Sequence, residues 1–362
     1  MCKATYFFSR GFMMKHIIYF IGIMLVLGYV VTAISQEQTP KEEKNFFENS
    51  LHYTNRGLDY WYGKQQGGLE RLTNIPTTQL NCKKCHVASC DACHVKKVGE
   101  KSEYSIEPAA TQKECIKCHG KGDMEKTIQE GNAVDIHFER GMKCMDCHTV
   151  REIHGDGTLY NSMQQSGSMD AKCENCHTRL TEIESHTVHG GKIDCVACHT
   201  KEANACYNCH FDTRVKENKS ASLPLKNIFF LINHKGKITL ANIHTFVYQN
   251  KTMIVFAPIF PHTTTREGKK CEDCHNATLF KDIKRNKFRA ITFENGELLS
   301  YAGVVPVLDG MKWNFVYLNY ENEQWIPIEN PPEPLINYAG YSSPLTADQF
   351  IKMEKAVPPK KK

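Results

Sequence analysis

Eight times the chain repeats Cys-x-x-Cys-His: at Cys82–His86, Cys90–His94, Cys115–His119, Cys144–His148, Cys173–His177, Cys195–His199, Cys206–His210 and Cys271–His275. Two thiols at this spacing can each add to a vinyl group of one porphyrin. The histidine that follows is then held beneath the iron as its proximal ligand, so the pattern reads as c-type haem attachment. A disulfide scaffold requires no histidine after each second cysteine, and a zinc ribbon does not demand one in the fifth place every time. Eight identical copies weigh against both alternatives. The expectation is eight covalently attached haems c. Their thiols come from Cys82 and Cys85, Cys90 and Cys93, Cys115 and Cys118, Cys144 and Cys147, Cys173 and Cys176, Cys195 and Cys198, Cys206 and Cys209, and Cys271 and Cys274. The proximal ligands are His86, His94, His119, His148, His177, His199, His210 and His275. Of the 17 cysteines only Cys2 is left over.

The motifs lie within residues 82–275 of a 362-residue chain. So short a stretch cannot bury eight macrocycles beneath a separate hydrophobic core, so the haems themselves must form the core. The fold class expected is a haem-packed one, mostly short α-helices and irregular loops, with a β-rich C-terminal part. Cys90 is four residue steps beyond His86, a reach of roughly 14 Å at most, which makes the first two haems immediate neighbours. The same reasoning keeps the sixth and seventh haems, joined through His199 and Cys206, close together.

Along the chain five stretches are expected. Residues 1–35 hold an uncharged run, Ile17–Val31, preceded by Lys15 and followed by Ala33-Ile34-Ser35. This reads as a secretory signal peptide or, if uncleaved, as a membrane anchor through residues 17–34. Either way the haem-bearing part is exported, to the periplasm or beyond. Residues 36–81 form a lead-in containing the aromatic segment LHYTNRGLDYWY from Leu51 to Tyr62. Residues 82–220 make a heptahaem domain, and residues 221–330 a β-rich part enclosing the eighth haem. There Ile228–Ile232 and Lys237–Ile243 flank a hairpin turn, Asn295-Gly296 marks another, and Trp313–Leu318 alternates like a strand. Residues 331–362 are a linker, a short helix opened by a Thr346/Gln349 capping box, and a basic tail.

The formal net charge is +5, and removal of residues 1–35 lowers it to +2. Eight haems bring about −16 from ionised propionates, so the holoprotein is acidic. Nucleic acid is therefore not an expected partner. Lysines serve as propionate partners and docking rims.

The sixth ligand of each iron separates electron transfer from catalysis. There are 17 histidines. Eight are proximal and His16 lies in the leader. The remaining eight, His52, His137, His154, His186, His189, His234, His244 and His262, match the number of irons and are the candidate distal ligands. His137, His189 and His262 precede Cys144, Cys195 and Cys271 by seven, six and nine residues. This recurrence suggests that an upstream histidine serves the motif that follows it, with His262 on the eighth haem. His186 and His189, three apart, share a helix face and serve two adjacent haems unless one of them is no ligand. His234 is expected in a turn, and His244 beside a strand.

Over residues 51–280 the chain resembles multihaem cytochromes c of respiratory and metal- or sulfur-metabolising microbes, in particular octahaem forms. The residues that carry the resemblance are the eight motifs, LHYTNRGLDYWY, CMDCHTVREIHGDG (Cys144–Gly157) and FPHTTTREGKKCEDCH (Phe260–His275). Octahaem relatives include enzymes similar to hydroxylamine oxidoreductase and tetrathionate reductase. Related pentahaem nitrite reductases carry Cys-x-x-Cys-Lys at the catalytic haem, and no such motif occurs here. Two functions from different classes follow. The first is an electron carrier along a chain of bis-histidine haems. Its partners would be redox proteins or a membrane quinol-linked complex, and it could form a homo-oligomer or filament. The second is a multihaem oxidoreductase of hydroxylamine, nitrite, tetrathionate or a similar compound, with one open haem.

Overall fold

The computed structural model describes residues 46–80, 87, 89–119, 135–203 and 205–355. The leader, the first haem motif (Cys82, Cys85 and His86) and the basic tail lie outside the described residues. Residues Phe46–Lys362 form one compact unit.

Up to His189, helices are short. The longest among the described residues there is Gln112–His119, of eight residues. Their starts are set by local caps: Ser50 Oγ accepts from Tyr53 N, Ser105 from Glu107 N, and Thr149 from Glu152 N. Each cap satisfies an end N–H that the helix cannot. Single turns so capped are marginal alone and persist only through what they pack against.

The C-terminal half is organised by a seven-stranded mixed sheet. Its central order is Gly303–Pro306, Ile228–His234, Lys237–Tyr248, Lys251–Pro258, Leu335–Tyr338. The middle three strands are antiparallel, and the two outer ones pair parallel to their neighbours. Three hairpins close through two-residue turns, the second of them at Gln249-Asn250, one residue before the Asn250-Lys251 turn that the strand pattern suggests. Lys235-Gly236, Gln249-Asn250 and Asn295-Gly296 all have positive φ at both positions, as two-residue turns between twisted strands require. The turn at residue 235 is one step tighter than the sequence suggests, so His234 is the last residue of its strand and buried.

Alternation decides the two faces. Ile228, Phe230, Ile232, Ile243, Val247, Ile254 and Phe256 point into one core, closed by Trp313, Phe315 and Tyr317. Phe229, Leu231, Ile238 and Leu240 point the other way, onto Leu279, Phe280, Leu345 and Met353. Further along that second face, Phe246, Tyr248, Met253 and Val255 meet Tyr62, Leu69, Leu72 and Leu80 of the lead-in. Residues 313–317 alternate as a strand would but pair with none; Val316 O instead accepts from the Tyr207 hydroxyl. The helix Ala347–Glu354 starts at the Thr346/Gln349 capping box.

The sheet also takes in part of a Cys-x-x-Cys-His motif. Cys209–His210 pairs parallel with Lys237–Tyr248, placing Cys209 beside Phe246 and His210 beside Val247. Bridges from Ile193 to Ile238 and from Thr200 to Thr264 likewise join the motif region to the β-rich part.

Candidate functional site: paired histidines

Twelve of the histidines come together in six pairs. His52 lies 6.1 Å, centroid to centroid, from His119, and His154 lies 5.9 Å from His94. His137 is 6.1 Å from His177, and His262 is 6.2 Å from His148. His186 is 6.2 Å from His199, and His189 is 6.4 Å from His275. Each pair joins the histidine of one motif to one of the spare histidines. With a metal–nitrogen bond of about 2.0 Å and a ring nitrogen about 1.2 Å from the ring centre, imidazoles across one metal sit about 6.4 Å apart. The observed separations fit a haem iron between each pair.

The ring nitrogens agree with this fit. Nδ1 of His94, His186, His189 and His199 lies 2.6–3.1 Å from the carbonyl oxygens of Ser105, Thr181, Ser185 and Thr265. Nδ1 bonded to a carbonyl must be the donor, which leaves Nε2 as the unprotonated nitrogen, free to ligate a metal. Burial first, then the neighbouring imidazoles, hold His52, His119 and His262 below the ordinary histidine range. A neutral ring is what iron ligation needs.

Two pairs have a carboxylate on Nδ1. Glu152 Oε2 is 2.8 Å from His148 Nδ1, with a side chain 3% exposed, while its Oε1 accepts from the backbone of Asp170 and Ala171. Asp135 Oδ1 is 3.1 Å from His137 Nδ1, and its Oδ2 accepts from Thr264 N at 2.7 Å. Burial alone would raise the Asp135 carboxyl, but donation from Thr264 and His137 outweighs it and holds the group below the usual range. Sequence reading missed both acids, although Asp135-x-His137 and His148-x-x-x-Glu152 place them within local reach.

The upstream-histidine expectation is corrected by this pairing. His137, His189 and His262 each pair with a motif other than the one that follows: the fifth, eighth and fourth, not the fourth, sixth and eighth. The segment carrying His262 runs along residues 198–202. Lys201 N donates to Thr263 O, Thr265 N to His199 O and Lys269 N to Cys198 O, so the segment is tied to the sixth motif. His186 and His189, on the helix Glu184–His189, part to two different motifs.

Neighbouring motifs lie close to one another. The thiols of Cys115 and Cys144 are near enough to perturb each other's ionisation, as are those of Cys173 and Cys195. Cys198 lies within the electrostatic reach of Cys271, and Cys147 within that of Cys176. All the described motif cysteines are free thiols, available for thioether formation. Among the described residues no three His, Cys, Asp or Glu side chains converge on a point that would hold a bare metal ion. A haem requires only the two axial ligands.

Three candidates are not brought to another histidine among the described residues. His234 is buried, with Nε2 lacking a hydrogen-bond partner. His244 stacks on Phe246 of its own strand. His210, buried with Nδ1 2.8 Å from Thr213 Oγ1, faces Tyr320 at 6.3 Å. Among the described residues, which do not include His86, the eightfold matching expected from the count is seen for six pairs. Among the described residues no helix is long and apolar enough to cross a membrane.

No family model and no solved structure matches the chain. Over 169 residues it is 22% identical to the dissimilatory sulfite reductase MccA of Wolinella succinogenes. The match takes in 36% of this chain and 23% of that protein's length. At that coarse level the similarity supports a distant relationship to multihaem redox proteins, with haem, iron and electron transport as the shared chemistry.

Proposed function

We propose that the chain is an octahaem c-type cytochrome that carries electrons along a row of closely packed haems, most of them held between two histidines. The observation that carries this reading is the set of six histidine pairs at 5.9–6.4 Å, each linking a motif to a spare histidine. Iron ligated on both sides exchanges electrons without binding substrate. The closeness of Cys115 to Cys144, and of Cys173 to Cys195, would bring adjacent macrocycles near enough for transfer between them. The residues that fix the imidazoles, Glu152 and Asp135 among them, set orientation and ligand basicity. The partners on this reading are redox proteins or a quinol-linked membrane complex, met outside the cytoplasm.

Low-temperature EPR of the oxidised holoprotein, with a spectroelectrochemical titration, tests this. At least six low-spin bis-histidine haems and a broad titration spread over several overlapping steps are expected. Two or fewer low-spin haems would refute the row.

A second reading is an oxidoreductase acting at one haem that lacks a second histidine. The similarity to a sulfite reductase and the position of His210 opposite Tyr320 favour it. Its mark would be turnover of a small nitrogen or sulfur compound by the purified protein.

A further inference from the structure

The seventh motif is built differently from the others, and its two internal residues show how. Tyr207 is fully buried and its hydroxyl donates to Val316 O. Asn208, also fully buried, donates from Nδ2 to Leu318 O at 2.7 Å and accepts from Leu318 N at 2.8 Å through Oδ1. Asn208 N in turn donates to Thr245 Oγ1 at 2.6 Å. The motif is thus fastened to the first residue of the strand Leu318–Glu321. Tyr320, two residues on, is presented to His210, and Trp325 backs it at 4.6 Å.

No described spare histidine can take the place Tyr320 occupies. Six are committed to other motifs. His234 is cross-strand from Lys237, whereas His210 lies beside Val247, ten residues further along the strand, about 33 Å at 3.3 Å per residue. His244 alternates with Ile243 and Val247, whose side chains enter the opposite core, and it stacks on Phe246 on the other face. On that face Phe246 and Val255, beside His244, pack in the cluster that contains Leu80.

We infer that His210 holds its haem alone, with Tyr320 and no histidine on the opposite face, making this the position where a small exogenous ligand binds iron. The inference deepens the second reading above by naming the site. The charged groups whose fields reach His210 are Asp212, Glu217, Glu321 and Lys216, with Arg214 near Cys209. Acids outnumber bases, and the propionates add further negative charge. Such surroundings disfavour an oxyanion and favour a small neutral ligand.

Carbon monoxide titration of the reduced holoprotein tests this, read together with EPR of the oxidised form. The expected result is a carbon monoxide-binding haem and a matching high-spin ferric signal. Tyr320→Ala should accelerate carbon monoxide association several-fold, and Tyr320→Phe should shift the high-spin signal, with the low-spin signals unchanged in both. In the oxidised protein, imidazole should bind this haem more tightly than azide. Absence of both carbon monoxide binding and a high-spin haem would overturn the inference and leave the six-pair row standing. Carbon monoxide binding that neither Tyr320 variant alters would also overturn it. Binding at most of the haems would instead refute the row itself.

Discussion

Residues 87–195 and residues 196–355 fold on different principles. Among the described residues, every buried hydrophobic side chain lies either in the lead-in (Tyr62, Leu69, Leu72, Leu80) or from Val196 onward. Between them there is none, and large apolar side chains such as Val98, Ile106, Val150, Leu180 and Val188 stand exposed. The sheet half buries Phe230, Phe256, Ile254 and Leu240 completely. A stretch with no apolar core of its own cannot offset the entropy of ordering its backbone. The macrocycles proposed to sit between its histidine pairs supply the missing apolar surface. The sheet half needs no such help, and it takes in the seventh motif as an edge strand.

The largest expected effect breaks this comparison outright. If the chain is made without haem attachment, residues 87–195 should remain unfolded and be cut rapidly by protease, while sheet amides keep their protection. Hydrogen exchange with mass spectrometry reads both halves at once. Equal protection across the two halves would contradict the distinction.

Next in size are the ligand deletions. His154→Ala, removing the ring 5.9 Å from His94, should turn one low-spin haem in about eight high-spin and open it to carbon monoxide. An unchanged spectrum in the His154 variant would refute the pairing.

A sheet mutation should do the reverse. Phe256→Ala deletes a fully buried ring from the core and should cost about 3–5 kcal/mol of stability, with the low-spin haem count unaltered. Thermal denaturation followed by far-UV circular dichroism, alongside the Soret spectrum, checks both parts.

The smallest effect sharpens the account of the row. A buried carboxylate on a ligand's Nδ1 makes the imidazole a stronger donor and favours the ferric state. Glu152→Gln replaces a charged hydrogen bond to His148 by a neutral one, a difference of roughly 1 kcal/mol, or about 40 mV for one electron. One haem should therefore titrate at a higher potential. A fall in potential, or no change, would show that Glu152 does not set the basicity of His148.

Much of this was legible in the chain, and what was not has a physical reason. The turns at Gly236 and Asn295-Gly296 and the Thr346 cap are fixed by local backbone chemistry, which sequence carries directly. Trp313–Tyr317 alternates correctly, yet a strand also requires a partner, which composition does not specify. The spare histidines could be counted in the chain, but which ring meets which is a long-range matter, and six of the eight are seen paired among the described residues. Bringing a histidine to the far side of the haem just ahead of it would require a six- to nine-residue loop to round the macrocycle's edge. The neighbouring motif, packed alongside, is nearer. Thus His262 meets His148 and not His275. Tyr320 was invisible because its place depends on Asn208 pinning Leu318, 110 residues away.

The central claim, that haems form the core of residues 87–195, is tested most directly by the intact mass of the mature protein under denaturing conditions. The account predicts eight covalently bound haems, resistant to acid-acetone extraction. Six or fewer on fully matured protein would contradict it.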